Sequence, residues 1–100
     1  MLLFIDTSDN SRTIVGLEKD LLEQPTGPDK SQQVLSLINQ ILKKNKKTLK
    51  DLTAIEVETG PGSFTGLRVG LAVANALGWA LKIPINGKKI GDLVEPKYEK

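Results

Sequence analysis

Apolar and polar positions along the chain change period several times, and each change marks an element. Leu2-Leu3-Phe4-Ile5 is an unbroken apolar run, the pattern of a strand buried on both faces. It stops at Asp6, where Asp6-Thr7-Ser8 and Asp9-Asn10-Ser11 form a turn-forming cluster. Arg12 to Leu17 alternates, with Thr13, Val15 and Leu17 on one face and Arg12, Ile14 and Gly16 on the other. This predicts a second strand. Glu18-Lys19-Asp20 turns the chain into a short third strand near Leu21-Leu22, and Gln24 to Lys30, with two prolines and a glycine, reads as a loop.

The period then becomes helical. From Ser31 to about Asn45, Val34, Leu35, Leu37, Ile38, Ile41 and Leu42 cover roughly 160° of arc, wider than one core-facing stripe needs. Lys43, Lys44, Lys46 and Lys47 follow, where cations complement the helix dipole and solubilise the end. A nucleic-acid contact is the less favoured use of such a run. Thr48 to Leu52 predicts one further helical turn capped by Thr48. Ala54 to Thr59 alternates again, Ile55 and Val57 against Glu56 and Glu58. A glycine-rich turn, Gly60 to Gly66, leads into a helix from about Phe64 to Leu81. Its apolar residues point all round, so burial on every side is expected. Gly66, Gly70, Ala74 and Gly78 recur every fourth residue, a ridge on which a second helix would approach closely. Ile83-Pro84-Ile85 predicts a last short strand. Residues 88–100 are a polar tail or loose helix holding Ile90, Leu93, Val94 and Tyr98, which leaves 1–87 as the folded lobe.

The predicted fold class is α/β: a mixed five-stranded sheet in the order β-β-β-α-β-α-β. If the first three strands form a meander, with the fourth beside the first and the fifth beyond it, right-handed crossovers place both helices on one face. One hundred residues then leave the wide first helix and the all-round second helix incompletely covered. A partner is expected, and without one a two-fold homodimer through the same helices.

Composition narrows the chemistry. There is no cysteine, hence no disulfide framework or thiolate metal site, and no histidine, the commonest metal ligand and general base. Net charge is +2, too small by itself to argue for nucleic acid. The opening apolar run is too short for a signal peptide, and the 67–81 segment is too short and interrupted to span a bilayer comfortably. No membrane association, a cytoplasmic location and no cofactor are expected.

The glycine turn lacks the lysine of a phosphate-binding P-loop, since Arg68 stands two residues after Gly66. Gly60, Gly62 and Gly66 spell GxGxxxG, a loose form of the dinucleotide fingerprint that does not follow the first strand as it should. Tight strand-to-helix packing accounts for the glycines better. Gly62, Ser63, Thr65 and Arg68 remain candidate anion-binding residues at a helix N-terminus. Asp6 and Glu58, at the ends of two strands, would share Mg²⁺ in an alternative reading, a Mg-dependent nucleotide or nucleic-acid phosphate enzyme on a ribonuclease-H-like fold. The first helix offers such a site no further carboxylate, and Asp6 is expected to accept hydrogen bonds from the Thr7–Ser11 backbone instead.

Four stretches carry a family resemblance. Leu3-Phe4-Ile5-Asp6-Thr7-Ser8, Lys30-Ser31-Gln32-Gln33-Val34-Leu35 and Thr48-Leu49-Lys50-Asp51-Leu52-Thr53-Ala54-Ile55 resemble three segments of the TsaB/YeaZ family. Gly60-Pro61-Gly62-Ser63-Phe64-Thr65-Gly66-Leu67-Arg68-Val69-Gly70 is similar to that family's signature almost letter for letter. The resemblance covers about residues 2–87. It implies an actin-like/sugar-kinase superfamily lobe and a non-catalytic scaffold subunit in formation of threonylcarbamoyladenosine at tRNA position 37. It also implies docking of the catalytic paralogue TsaD through the two helices, with the ATPase TsaE joining and tRNA contacted only indirectly. Leu35, Ile38, Leu42, Gly66, Gly70, Ala74, Leu77 and Gly78 are the expected partner-binding residues, with no catalytic or metal-binding residue. Three departures stand out: Lys30 replaces the family's histidine, the chain ends after the first of the family's two lobes, and 86–100 does not resemble the family's usual helix.

Overall fold

A computed structural model describes residues 1–97; Tyr98, and with it the end of the predicted tail, lies outside the described residues. The elements are β1 (Leu2–Asp6), β2 (Arg12–Leu17), β3 (Asp20–Pro25), α1 (Lys30–Lys44), a single 3-10 turn (Leu49–Asp51), β4 (Ala54–Val57) and α2 (Phe64–Leu81). The sheet order is β3-β2-β1-β4. β1 pairs antiparallel with β2, Ile5 opposite Val15, and parallel with β4, Ile5 opposite Val57. β2 pairs antiparallel with β3, Val15 opposite Leu22. The meander and the placement of the fourth strand beside the first are therefore as the periodicity predicts.

Four strands form, not five. Ile83–Ile85 makes only an isolated parallel bridge to β4, through Ile55 and Ile85. The Ile55 N–H donates to the Pro84 carbonyl at 3.0 Å, and the Asn86 N–H donates to the Ile55 carbonyl at 2.8 Å. Pro84 has no N–H to extend the ladder. Asn86 then takes a left-handed conformation, φ 52°, which turns the chain out of the sheet.

Alternation sets the core. Leu3 and Ile5 of β1, Thr13, Val15 and Leu17 of β2, and Ile55 and Val57 of β4 are buried on one face. α1 covers this face with Val34, Leu37, Ile38, Ile41 and Leu42, and α2 covers it with Gly66, Leu67, Gly70, Leu71, Ala74 and Gly78. Both helices thus lie on one side. The opposite face carries Phe4, Ile14, Leu21 and Glu56, with Leu21 and Glu56 exposed. The cap of α1 is Asp29, which accepts the Gln32 N–H at 3.1 Å and opens the helix one residue before Ser31. By length and composition alone α2 is long and apolar enough to cross a membrane, at a mean hydropathy of 1.3, but its core-facing side packs on the sheet.

Residues 88–97 form neither a helix nor a free tail. Val94 is buried in the same core as the strands. The 1–87 lobe therefore continues at least to Val94.

Candidate functional site

The glycine turn holds α2 against the end of β1. Ser63 is the cap: its Oγ accepts the Gly66 N–H at 3.1 Å, and its own N–H donates to the Ser8 carbonyl at 2.8 Å. Thr7 is fully buried beside it. The Thr7 hydroxyl donates to the Gly66 carbonyl at 2.6 Å and accepts the Gly70 N–H at 3.1 Å. Such closeness needs bare backbone. A Cβ on Gly66 would collide with the Thr7 carbonyl, and one on Gly70 with the Thr7 hydroxyl. Lys30 completes the junction, its ammonium donating to the carbonyls of Thr7 at 3.2 Å and Asp9 at 3.1 Å.

The ridge therefore faces inward. Gly66 and Gly70 meet Thr7, Ala74 is fully buried, and Gly78 meets Ile85. Ile38 and Leu42 are likewise buried in the chain's own core. This corrects the expectation that these six residues present a docking face. Small residues every fourth position do allow close approach, but the approaching group is the end of β1 and the residue after Pro84. Of the eight expected partner-binding residues, Leu35, 47% exposed, and the half-buried Leu77 reach the outer surface.

Those two residues flank a groove of about 400 Å³ between the helices, lined by Leu35, Ala72, Val73, Ala76, Leu77 and Ala80. Every lining residue is apolar, and Leu35, Ala72, Ala76 and Ala80 are exposed. The alanines of α2 that stood between the larger residues in the sequence form its floor and rim.

The candidate anion-binding residues do not converge. Gly62 packs on Ser8, Ser63 spends its hydroxyl on the cap, and the Arg68 guanidinium lies 5.4 Å from the centre of the Phe64 ring, a cation–π contact. Thr65 is exposed. At the strand ends, Asp6 accepts the Ser8 N–H at 2.9 Å and the Ser8 hydroxyl at 2.6 Å, as expected of a turn-forming aspartate. Glu58 accepts the Gly60 N–H at 3.3 Å. Among the described residues, no three His, Cys, Asp or Glu side chains gather where a metal ion could be held.

Two carboxamides do structural work that periodicity does not signal. Asn86 accepts the Val57 N–H at 2.8 Å and donates to the Val57 carbonyl at 3.0 Å, so a side chain extends β4 where the fifth strand stops. Asn75 on α2 does the same to Val94, accepting its N–H at 2.9 Å and donating to its carbonyl at 3.0 Å. A lone Asn within an apolar helix was the only available signal for the second clamp.

Local hydrogen bonds hold three surface carboxyls below the usual carboxylate range. Asp9 is lowered chiefly by the Ser11 N–H, then by its hydroxyl. Asp20 is lowered chiefly by the Asn45 side chain, then by Lys44 at 3.1 Å. Asp51 is lowered chiefly by the Thr48 N–H. The Asp20 contacts tie the end of α1 to the start of β3.

Residues 26–87 match a family model described as "TsaD: tRNA N6-adenosine threonylcarbamoyltransferase". A protein of Buchnera aphidicola subsp. Schizaphis graminum, named "tRNA threonylcarbamoyladenosine biosynthesis protein TsaB", is 34% identical over 87% of this chain and 43% of its own length. The Bacillus subtilis protein of the same name is 32% identical over 98% of this chain and 49% of its own length. Among solved structures, YeaZ from Pseudomonas aeruginosa superposes with a TM-score of 0.72 at 27% identity, covering 88% of this chain and 43% of that one. The chain thus spans about half the length of the curated relatives it matches.

Proposed function

Because the chain belongs to the TsaB/YeaZ family, we propose that it serves tRNA threonylcarbamoyladenosine biosynthesis as a non-catalytic scaffold. In this reading it docks a TsaD-like catalytic paralogue through the groove between α1 and α2. The observation that supports the docking is the groove itself, apolar throughout and open between two helices whose core-facing sides are already packed. The fully buried centre of a protein interface is apolar in the same way. A TsaE-like ATPase joins the assembly, and the complex works in the cytoplasm. Without the paralogue, the groove pairs with its two-fold copy, an isologous contact that covers the same residues on both protomers.

The chain contributes surface rather than reacting groups in this account. No observation favours the Mg-dependent alternative, since Asp6 and Glu58 are each engaged by adjacent backbone. Co-expression with the TsaD-like paralogue of the same cell, followed by gel filtration, tests the proposal. Co-elution at the mass of a complex is expected. Separate elution of both proteins would contradict it.

A further inference from the structure

The end of the sheet at which β1 and β4 begin is crowded with lysines from four separate segments. Lys19 lies in the β2–β3 turn, where the Glu18 N–H donates to the Leu2 carbonyl at 3.0 Å. Lys43 and Lys47 stand at the end of α1, and Lys50 lies in the 3-10 turn that leads into β4. Lys82 caps α2 at the same end, because Ile83–Ile85 runs from there alongside β4. All of these lysines are exposed, and among the described residues no ion pair within 4.0 Å engages them. Lys44 differs: Asp20 takes it. The dipole of α1 accounts for lysines in its last turn only. The dipole of α2 accounts for Lys82 at its C-cap, and neither dipole accounts for Lys19 or Lys50.

The carboxylates at this end, Glu18, Asp20 and Asp51, are fewer than the lysines and leave it positive: Asp20 pairs with Lys44, and Asp51, which accepts the Thr48 N–H at 2.8 Å, is exposed. Beside Lys82 stands Trp79, the chain's single tryptophan, 74% exposed. The two line one shallow pocket. An exposed indole next to unpaired cations is a base-stacking platform joined to a phosphate-binding surface.

We infer that this lysine-rich end, with Trp79, is a contact surface for RNA, and that the chain touches the tRNA itself. The inference rests on the family reading only for the choice of tRNA as the polyanion. The charge and the exposed indole belong to this chain. It replaces the indirect tRNA contact implied by the resemblance. Recognition here is by backbone phosphate and stacking, indifferent to base sequence, as contacts by flexible lysines and an indole face are.

The test is binding of a fluorescein-labelled, transcribed tRNA to the whole chain, followed by anisotropy and by quenching of Trp79 across a salt series. Saturable, salt-sensitive binding with Trp79 quenching is expected. The K43E/K47E/K50E variant should bind at least about tenfold more weakly, with its salt slope reduced by about 2 to 3. K43Q/K47Q/K50Q should fall between the two and serves if the reversal fails to fold. K97E should bind as the parent does, because Lys97 lies at the opposite end of the sheet, its N–H donating to the Thr59 carbonyl just past β4. No binding of tRNA, equal binding by the parent and the glutamate variant, or binding to phosphatidylglycerol vesicles in place of tRNA would each overturn the inference. Co-elution with the paralogue, measured on the same variants, separates this result from the docking proposal: the lysine variants should still co-elute.

Discussion

Thr7 and Gly70 are in direct contact: the Thr7 hydroxyl accepts the Gly70 N–H at 3.1 Å, in space that a Cβ on Gly70 would occupy. The same hydroxyl donates to Gly66 at 2.6 Å. One buried oxygen thus fixes the start of α2 on the end of β1, and the orientation of α2 sets the outer groove.

Thr7→Val should therefore destabilise the fold, because it removes both hydrogen bonds of the buried hydroxyl, to the Gly66 carbonyl and from the Gly70 N–H. Each such bond contributes about 0.5–1.5 kcal/mol net. Thr7→Ser keeps the hydroxyl and should lose less. Urea denaturation of the two variants checks the order; equal stability for Thr7→Val and the parent would refute the role.

Gly70→Ala adds a methyl against Thr7 and Ile5. Overpacking of this kind typically costs about 1–3 kcal/mol. The expected readout is a lowered denaturation midpoint, whether or not a partner is present. A variant of parental stability that had lost only its assembly would return the ridge to the surface.

Asn86→Asp should be destabilising although nearly isosteric. A carboxylate accepts the Val57 N–H but has no donor for the Val57 carbonyl. Asn86→Gly tolerates the left-handed φ but loses both bonds. Amide hydrogen exchange at Val57 should speed up markedly in the glycine variant, and unchanged protection would show that the carboxamide does not carry the edge of β4.

Asp9, Asp20 and Asp51 have lowered pKa values in the folded chain, so their stabilising contribution is present above the unfolded value, about 3.9. It is lost as pH falls below that value and through the folded ones. Melting temperature should not fall on their account between neutrality and pH 5, and should drop below about pH 4. Asp20→Asn should narrow the gap between the neutral and acid melting temperatures; a gap of parental size would discount the Asp20 contacts.

The periodicities place most elements to within a residue or two. Arg12–Leu17 and Phe64–Leu81 are found as read, because alternation and the glycine turn mark their limits unambiguously. β3 is longer than the Leu21-Leu22 pair suggests, since its edge position leaves Glu23 and Pro25 exposed and hides the pattern. The ridge is legible as a ridge, but spacing alone does not say whether it meets a partner helix or the chain's own β1. That depends on Thr7, whose buried hydroxyl has no periodic signature. The clamps by Asn75 and Asn86 are equally silent, because each pairs residues 19 and 29 positions apart, respectively. Leu35 is legible as an edge residue of a wide arc, whereas the alanine-lined groove beside it required the helix pair to be seen together.

The central claim is that the α1–α2 groove docks a TsaD-like paralogue. The most direct measurement is the Kd of that complex by sedimentation or interferometry, for the parent and for Leu35→Glu. Leu35 is 47% exposed, so its replacement should leave the fold intact, as circular dichroism would verify. The account predicts nanomolar to micromolar binding by the parent, weakened at least about thirtyfold by a charge in the wall of the groove, the scale of an interface hot spot. Parental affinity in a folded Leu35→Glu variant would contradict it.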